Sequence, residues 1–463
     1  MNIHRRAFSI LCGLALGCTP GPERTQRPPD VLLLVVDGLR ADEAEGWIEA
    51  AGLAGWLGGD AVARYGRAYA PSSLGVQSLA SLLSGRLPTH GGAVGLAEAQ
   101  PAPGAVTLAA ALRRAGYRTG FVSQATWAAR PGFARGFDDL QVAPAAGWTA
   151  DEVAKRALQV VDDWRSAAAG AAQGSPWFLA VHWAPPAIDD PSAGRPALET
   201  ALAEAGAALA SLRQGLEERD AFSGAVAALT AGHGLERGEH GGAGTGWTLH
   251  EEVIRVPLVV RGLSSVGAGS IGTAVSTLAL AASLRELAGQ APVGARAEAA
   301  EPAPAAPEAA AEELGAPLPP AVATGSVATV ISELVVRERT IARAVIDGDL
   351  KYLRILKEVP AEDRGAVARG YEELQAAMVA GSIPTPSLFG EPVRELLVRV
   401  AADGVVETEL ALAEHRDELS RLRARLRDYQ RLCEEEGWAP PEITERLPVD
   451  LDDLEQLEIL GYL

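Results

Sequence analysis

Cysteine is scarce. The 463 residues carry three, Cys12, Cys18 and Cys433, too few for a disulfide framework or a four-cysteine zinc site. Long apolar runs are also lacking: the longest, Ala7 to Gly17, falls short of the ~20 residues of a membrane-spanning helix, which excludes a polytopic membrane protein. Positive charge is short as well. Lys and Arg number 41 against 60 Asp and Glu, a formal charge of −19, and no nucleic-acid partner is expected, since such partners are held by clustered cations. What the chain does have is 48% hydrophobic and 22% charged residues, enough apolar material for a sizeable core and far from a disordered composition.

The N-terminus, "MNIHRRAFSILCGLALGC", places Arg5 and Arg6 before an apolar run that ends in small residues at Cys18. This is the three-part plan of a bacterial export signal. "LALGC" is similar to a lipoprotein signal, in which the cysteine is acylated and becomes the mature N-terminus; "RRAF" also resembles a twin-arginine signal. We expect residues 1–17 to be removed, residues 18–30 to form a tether, and the protein to sit in the cell envelope with Cys18 as its membrane anchor. An ordinary cleaved signal with an incidental cysteine is the alternative.

"VLLLVV", Val31 to Val36, is a continuous apolar run suited to a strand buried on both faces of a parallel sheet. Similar short runs recur at Phe121, Trp177, Ala225 and Arg255, separated by Ala- and Leu-rich stretches of helical length at 105–115, 151–169 and 196–217. The alternation predicts a doubly wound α/β domain whose sites lie at the carboxyl ends of its strands. Residues 292–325 are rich in Ala, Pro, Glu and Gly without apolar period and read as a flexible insertion. Beyond it, "TIARAVIDGDLKYLRIL" has strand–turn–strand character around Asp347-Gly348. A charged helix is expected from about Thr408 to Glu436, with Leu419, Leu422, Leu426, Tyr429 and Cys433 on one face, packing on its own domain.

Five collinear segments carry a family resemblance: "DVLLLVVDGLRAD", "AYAPSSLGVQSLASLLSGRLPTHGG", "TAGHGLERGEHG", "LHEEVIRVPLVV", and "DGDLKYLRI" with the terminal "LEQLEILGYL". Together they resemble the sulfatase family of the alkaline phosphatase superfamily. The resemblance implies an α/β/α sandwich over 31–291 and a smaller C-terminal α+β subdomain over 326–463. It also implies in-line attack on a sulfate or phosphate monoester, with a divalent cation absorbing charge on the nonbridging oxygens.

Set against the family pattern, Asp37 occupies the first metal-ligand position, followed by Gly38 where many members carry a second Asp. Aligning "YAPSSLGVQSLASLLSG" on "YAPSPWTLPSHASLLTG" puts Gly75 at the nucleophile, Gln77 at the following Pro and Leu79 at the basic residue; the nearest hydroxyls are Ser73 and Ser78. In the second metal loop His233 is kept, but Gly232 stands where the Asp ligand belongs. Thr245 replaces a sulfate-contacting His or Lys, His182 is kept, and Pro186 falls near the second His of "DPH". Gln124 and Thr126 stand where some members have Lys and His.

Two surviving ligands make a weak site, because calcium prefers six to eight oxygens and magnesium a near-ideal octahedron. No cofactor is therefore assigned; calcium or another divalent cation applies only if the site is retained. Asp37 then reads as a solvated residue at a strand end and His233 as a hydrogen-bonded remnant. His240 and His250 neighbour Glu239, Glu251 and Glu252, a rebuilt metal cluster only if residues outside the family positions join it. His90 reads as structural, and Asp42, Asp189 and Asp190 as exposed loop carboxylates. The departures fall on the chemistry, while Pro88, Gly91, Pro257 and Gly461 keep the framework pattern. We therefore expect a catalytically degraded sulfatase-like lipoprotein that binds an envelope partner or anionic ligand. An active ester hydrolase with a displaced nucleophile is the alternative.

Overall fold

A computed structural model describes residues 27–58, 61–95, 99–167, 174–189, 194–290, 316–320, 329–336, 341–358, 392–401 and 406–435. The export signal, Cys18, most of the tether and insertion, the Asp189 side chain, Asp190 and the terminal "LEQLEILGYL" lie outside the described residues.

The first half contributes β1 (Val31–Val36), β2 (Val62–Tyr65), β3 (Ala68–Tyr69), β4 (Arg118–Ser123), β5 (Asp139–Val142), β6 (Trp177–Trp183) and β7 (Val226–Thr230). Then follow β8 (Glu236–Arg237), β9 (Ala243–Gly244), β10 (Arg255–Val256), β11 (Leu258–Arg261), β12 (Gly269–Ile271) and β13 (Val275–Ser276). Eight of these strands build one sheet in the order β12-β2-β11-β7-β1-β6-β4-β5. Its neighbours run parallel except at β11, which is antiparallel to both β7 and β2.

The apolar run of β1 feeds both layers. Val31, Leu33 and Val35 join Leu79, Leu108, Leu112 and Leu284 from the helices Gly75–Ser84, Leu108–Arg114 and Leu278–Leu287. Leu32, Leu34 and Val36 join Val153, Val160, Leu209 and Leu212 from the helices Ala150–Ala167 and Arg195–Glu218. Because side chains alternate along a strand, a strand covered on both faces must be apolar throughout. That is why the central strand reads as an unbroken hydrophobic run and marks the middle of the sandwich.

The C-terminal region adds an antiparallel meander of β14 (Val330–Val335), β15 (Ile341–Asp347), β16 (Leu350–Lys357), β17 (Arg394–Val400) and β18 (Glu407–Leu410). The hairpin expected at Asp347-Gly348 is present, with Asp347 opposite Leu350 and Gly348 at φ +63°, a left-handed turn conformation open to glycine. One face of this sheet takes the expected stripe Leu419, Leu422, Leu426, Tyr429 and Cys433, which packs on Ile331, Val345, Tyr352 and Leu397. The opposite face, through Leu334, Ala344, Ile346 and Leu353, merges with the core of the large domain. The helix is shorter than the expected span, running Arg416–Glu435. Residues 407–410 instead pair with β17, from Val400↔Glu407 to Leu397↔Leu410; alternating polar residues at a sheet edge suit a strand. Within the insertion, Leu318 is buried and its N–H bonds the Ser283 hydroxyl, so the 316–320 piece packs on the large domain.

Candidate active site

The carboxyl ends of β1, β4, β6 and β7 converge, as they must in a parallel sheet. Asp37 follows β1, Ser123 ends β4, His182 is the penultimate residue of β6, and Gly232 and His233 follow β7. Register fixes the lateral order: Val35 lies opposite His182 and Thr230, and Ser123 opposite His182.

Asp37 is not the solvated strand-end residue the sequence suggested; it is 3% exposed. Partners on neighbouring strands permit that burial. His182 Nε2 lies 2.9 Å from Asp37 Oδ2, and the Gly232 N–H donates to Asp37 Oδ1 at 3.0 Å. The other ring nitrogen of His182 lies 2.9 Å from Ser123 Oγ, which accepts from the Ala125 N–H. Burial alone would raise the Asp37 pKa, but the charge and hydrogen bond of His182, the charge of His233 and the Gly232 N–H outweigh it and hold it below the usual carboxylate range.

His233 is fully buried. Its Nδ1 donates to the Gly234 carbonyl at 2.7 Å, and its Nε2 is buried without a hydrogen-bond partner among the described residues, 3.9 Å from Asp37 Oδ2. Gly75 opens the buried helix Gly75–Ser84. A Cβ placed on it would stand 2.8 Å from Asp37 Oδ2 and 3.3 Å from His233 Nε2. A Cβ on Gly232 would overlap Asp37 Oδ1. At Gly38, φ is +81° and a Cβ would lie 2.7 Å from Ile188 Cδ1. The glycines at positions 38, 75 and 232 thus leave no gap: Asp37 and Ile188 fill the space a side chain there would enter.

This donor set does not fit the hard divalent cation that the resemblance implies. Among the described residues the centre holds one carboxylate, both of whose oxygens already accept hydrogen bonds, and one further imidazole nitrogen, that of His233. Calcium and magnesium require an oxygen-rich shell.

The other residues singled out in the sequence have settled roles. Ser78 Oγ donates to the Ser72 carbonyl at 2.7 Å and accepts from the Ser72 N–H, tying the loop to the helix. Gln77 reaches the C-terminal sheet, donating to Val335 O at 2.8 Å and Gly95 O at 3.1 Å. Leu79 is core. Ser73 Oγ is buried and has no hydrogen-bond partner, and so no base, among the described residues. Thr245 donates to the Ser73 carbonyl, Gln124 donates to Trp148 O at 2.8 Å, and Pro186 and Thr126 open short helical turns. His90 sits in the turn Pro88–Gly91, and Asp42 pairs with Arg40 at 3.0 Å.

The histidines of the "GEHG" and "LHEE" segments do come together. The His240 and His250 rings stack at 3.6 Å with an 8° interplanar angle, and His240 Nδ1 lies 2.7 Å from Glu252 Oε1. Glu239 turns away to Arg40. The acid that replaces it beside His250 is Glu407, at 2.7 Å. Sequence reasoning missed Glu407 and Ser123. Only the convergence of strand ends could have pointed to Ser123, and Glu407 lies on a distant edge strand.

A family model for sulfatase matches residues 29–290. Among solved structures, the 2-O GAG sulfatase BT1596 is 16% identical with a TM-score of 0.58, over 87% of this chain and 92% of that one. An alkaline phosphatase superfamily protein from Vibrio parahaemolyticus is 11% identical with a TM-score of 0.54, over 89% and 88%. A phosphonate monoester hydrolase from Silicibacter pomeroyi is 15% identical with a TM-score of 0.50, over 76% and 95%. No curated protein matches the chain significantly by sequence. With more than half its length matched by the family model, and with the strands, loops and terminal sheet in the order its motifs required, the chain belongs to the sulfatase family.

Proposed function

We propose that this protein is a catalytically degraded sulfatase, exported and held in the cell envelope by a lipid on Cys18, where the fold serves as a binding or scaffold component for an envelope partner or anionic ligand. One observation carries the loss of catalysis. The Asp37 carboxylate, locked between His182 and the Gly232 N–H, occupies the ground where a nucleophile on residue 75 and a carboxylate on residue 232 would extend. A covalent-intermediate enzyme without its nucleophile can lose on the order of 10⁶-fold in rate, ~8 kcal/mol of barrier. Direct attack by water would need a metal to lower its pKa, and among the described residues Asp37 is the one carboxylate at this centre.

The displaced-nucleophile reading has two hydroxyls to draw on, and neither has the required partner. Ser78 is committed to the loop backbone, and the Ser73 hydroxyl is bonded to no base among the described residues. The test is thermal unfolding with calcium or magnesium added to millimolar excess, since a ligand that binds only the folded state raises Tm. No shift is expected. A rise in Tm that disappears in Asp37→Asn would restore the inherited metal centre and overturn the reading.

A further inference from the structure

Behind the degraded centre, the loop from Leu235 to His250 and the edge strand β18 bring two imidazoles over a set of buried carboxylates. His240 is bonded to Glu252 Oε1 and His250 to Glu407 Oε2, each at 2.7 Å, and His240 Nε2 lies 4.0 Å from Glu407 Oε2. Donor atoms of His240, His250 and Glu407 all fall within 4.8 Å of one another, as do those of Glu236, His240 and Glu252. The two triads share His240. Its side chain and that of His250 are 33% and 15% exposed, whereas Glu252 and Glu407 are 1% and 4% exposed. The cluster is therefore open to solvent on its nitrogen side and closed on its oxygen side.

Charge and hydrogen bonding both leave this cluster incomplete. Glu407 and Glu251 share the fully buried Lys351 ammonium, but the ion-pair partner of Glu252 is His240. Glu252 Oε2 is buried without any hydrogen-bond partner among the described residues, an expensive state for a carboxylate oxygen. Protonating both histidines would supply positive charge, yet it would place two imidazolium rings face to face at 3.6 Å, where like charges disfavour each other. A single divalent ion delivers the same charge without that repulsion.

We propose that His240, His250, Glu407 and Glu252, with Glu236 at its edge, form a site for a borderline divalent metal ion of the zinc type, separate from the degraded sulfatase centre and independent of how that centre reads. Two imidazole nitrogens with carboxylate oxygens select such ions over calcium or magnesium. The site joins the large domain to the C-terminal sheet, because Glu407 lies on β18 while both histidines belong to the loop after β7.

The experiment uses purified protein without a histidine tag, stripped with chelator and titrated with zinc against a chromogenic zinc indicator. Cobalt absorption spectra report on nitrogen and oxygen coordination. One zinc per chain, bound with a Kd on the order of micromolar or tighter, is expected, with affinity falling about tenfold or more in His240→Ala and in His250→Ala. Both histidines are partly exposed, so these variants should keep the wild-type circular dichroism. His233→Ala should bind zinc as the wild type does. Absence of binding, binding unaffected by either His240→Ala or His250→Ala, or loss in His233→Ala, which would move the ion to the central pocket, overturns the proposal.

Discussion

A carboxylate at the end of a central strand has to be solvated, protonated or paired, and Asp37 is paired on both oxygens. Removing one partner of a buried pair leaves an uncompensated charge. His182→Ala is therefore expected to destabilise the protein by about 3–5 kcal/mol, read from urea unfolding; a loss below ~1 kcal/mol would mean that water already reaches Asp37. The same packing makes the obvious reversions costly. Gly75→Ser and Gly232→Asp each push a Cβ into Asp37, and each is expected to destabilise by about 1–3 kcal/mol, as overpacked cores do. If either raised Tm, the space around Asp37 would be open rather than filled. At this scale the sequence was only half legible. Gly75 and Gly232 can be placed by register on their flanking motifs, but the burial of Asp37 cannot, because it depends on His182 and Ser123 arriving from strands far away in the chain.

Elements were legible wherever their burial was one-sided and periodic, or total. β1 is apolar at every position because helices cover both of its faces, and the C-terminal helix shows its stripe because only one side packs. The start of that helix does not show in the sequence, because Glu407–Leu410 has little apolar signal and is placed by pairing with β17. Leu422 is fully buried in this contact, so Leu422→Ala is expected to cost about 2–5 kcal/mol, measured by denaturant unfolding. The helix is also pinned by Arg423, bonded to Glu395 at 3.1 Å, while Tyr352 donates to the same carboxylate. Burial alone would raise the Glu395 pKa, but the hydrogen bonds from Arg423 and Tyr352 hold it below the usual value. A depressed folded-state pKa gives stability that is fully present above the unfolded value of about 4.3 and is lost as pH falls through the folded one. The stability gap between wild type and Glu395→Gln should therefore close as pH drops below about 4. A gap that stays constant down to acid would remove the ion pair from the account.

On the scale of the whole molecule, the chain keeps the sulfatase fold, and side chains fill the space that a Cβ at positions 38, 75 and 232 would enter. Among the described residues no helix is long and apolar enough to cross a membrane, and the proposed anchor rests on Gly17-Cys18 after the apolar run. Several acyl chains hold where one binds marginally. Membrane fractionation and globomycin-sensitive processing should both disappear in Cys18→Ala, and a freely soluble periplasmic product from the unmutated gene would contradict the anchor. The central claim, that the frame no longer turns over esters, is tested most directly by hydrolysis of aryl sulfate and aryl phosphate esters with calcium, magnesium, manganese or zinc supplied. Rates no higher than those of a Gly75, Asp37 and His233 triple variant are expected. Metal-dependent turnover above that control would contradict it, and Ser73 and Ser78 would be the first residues to mutate.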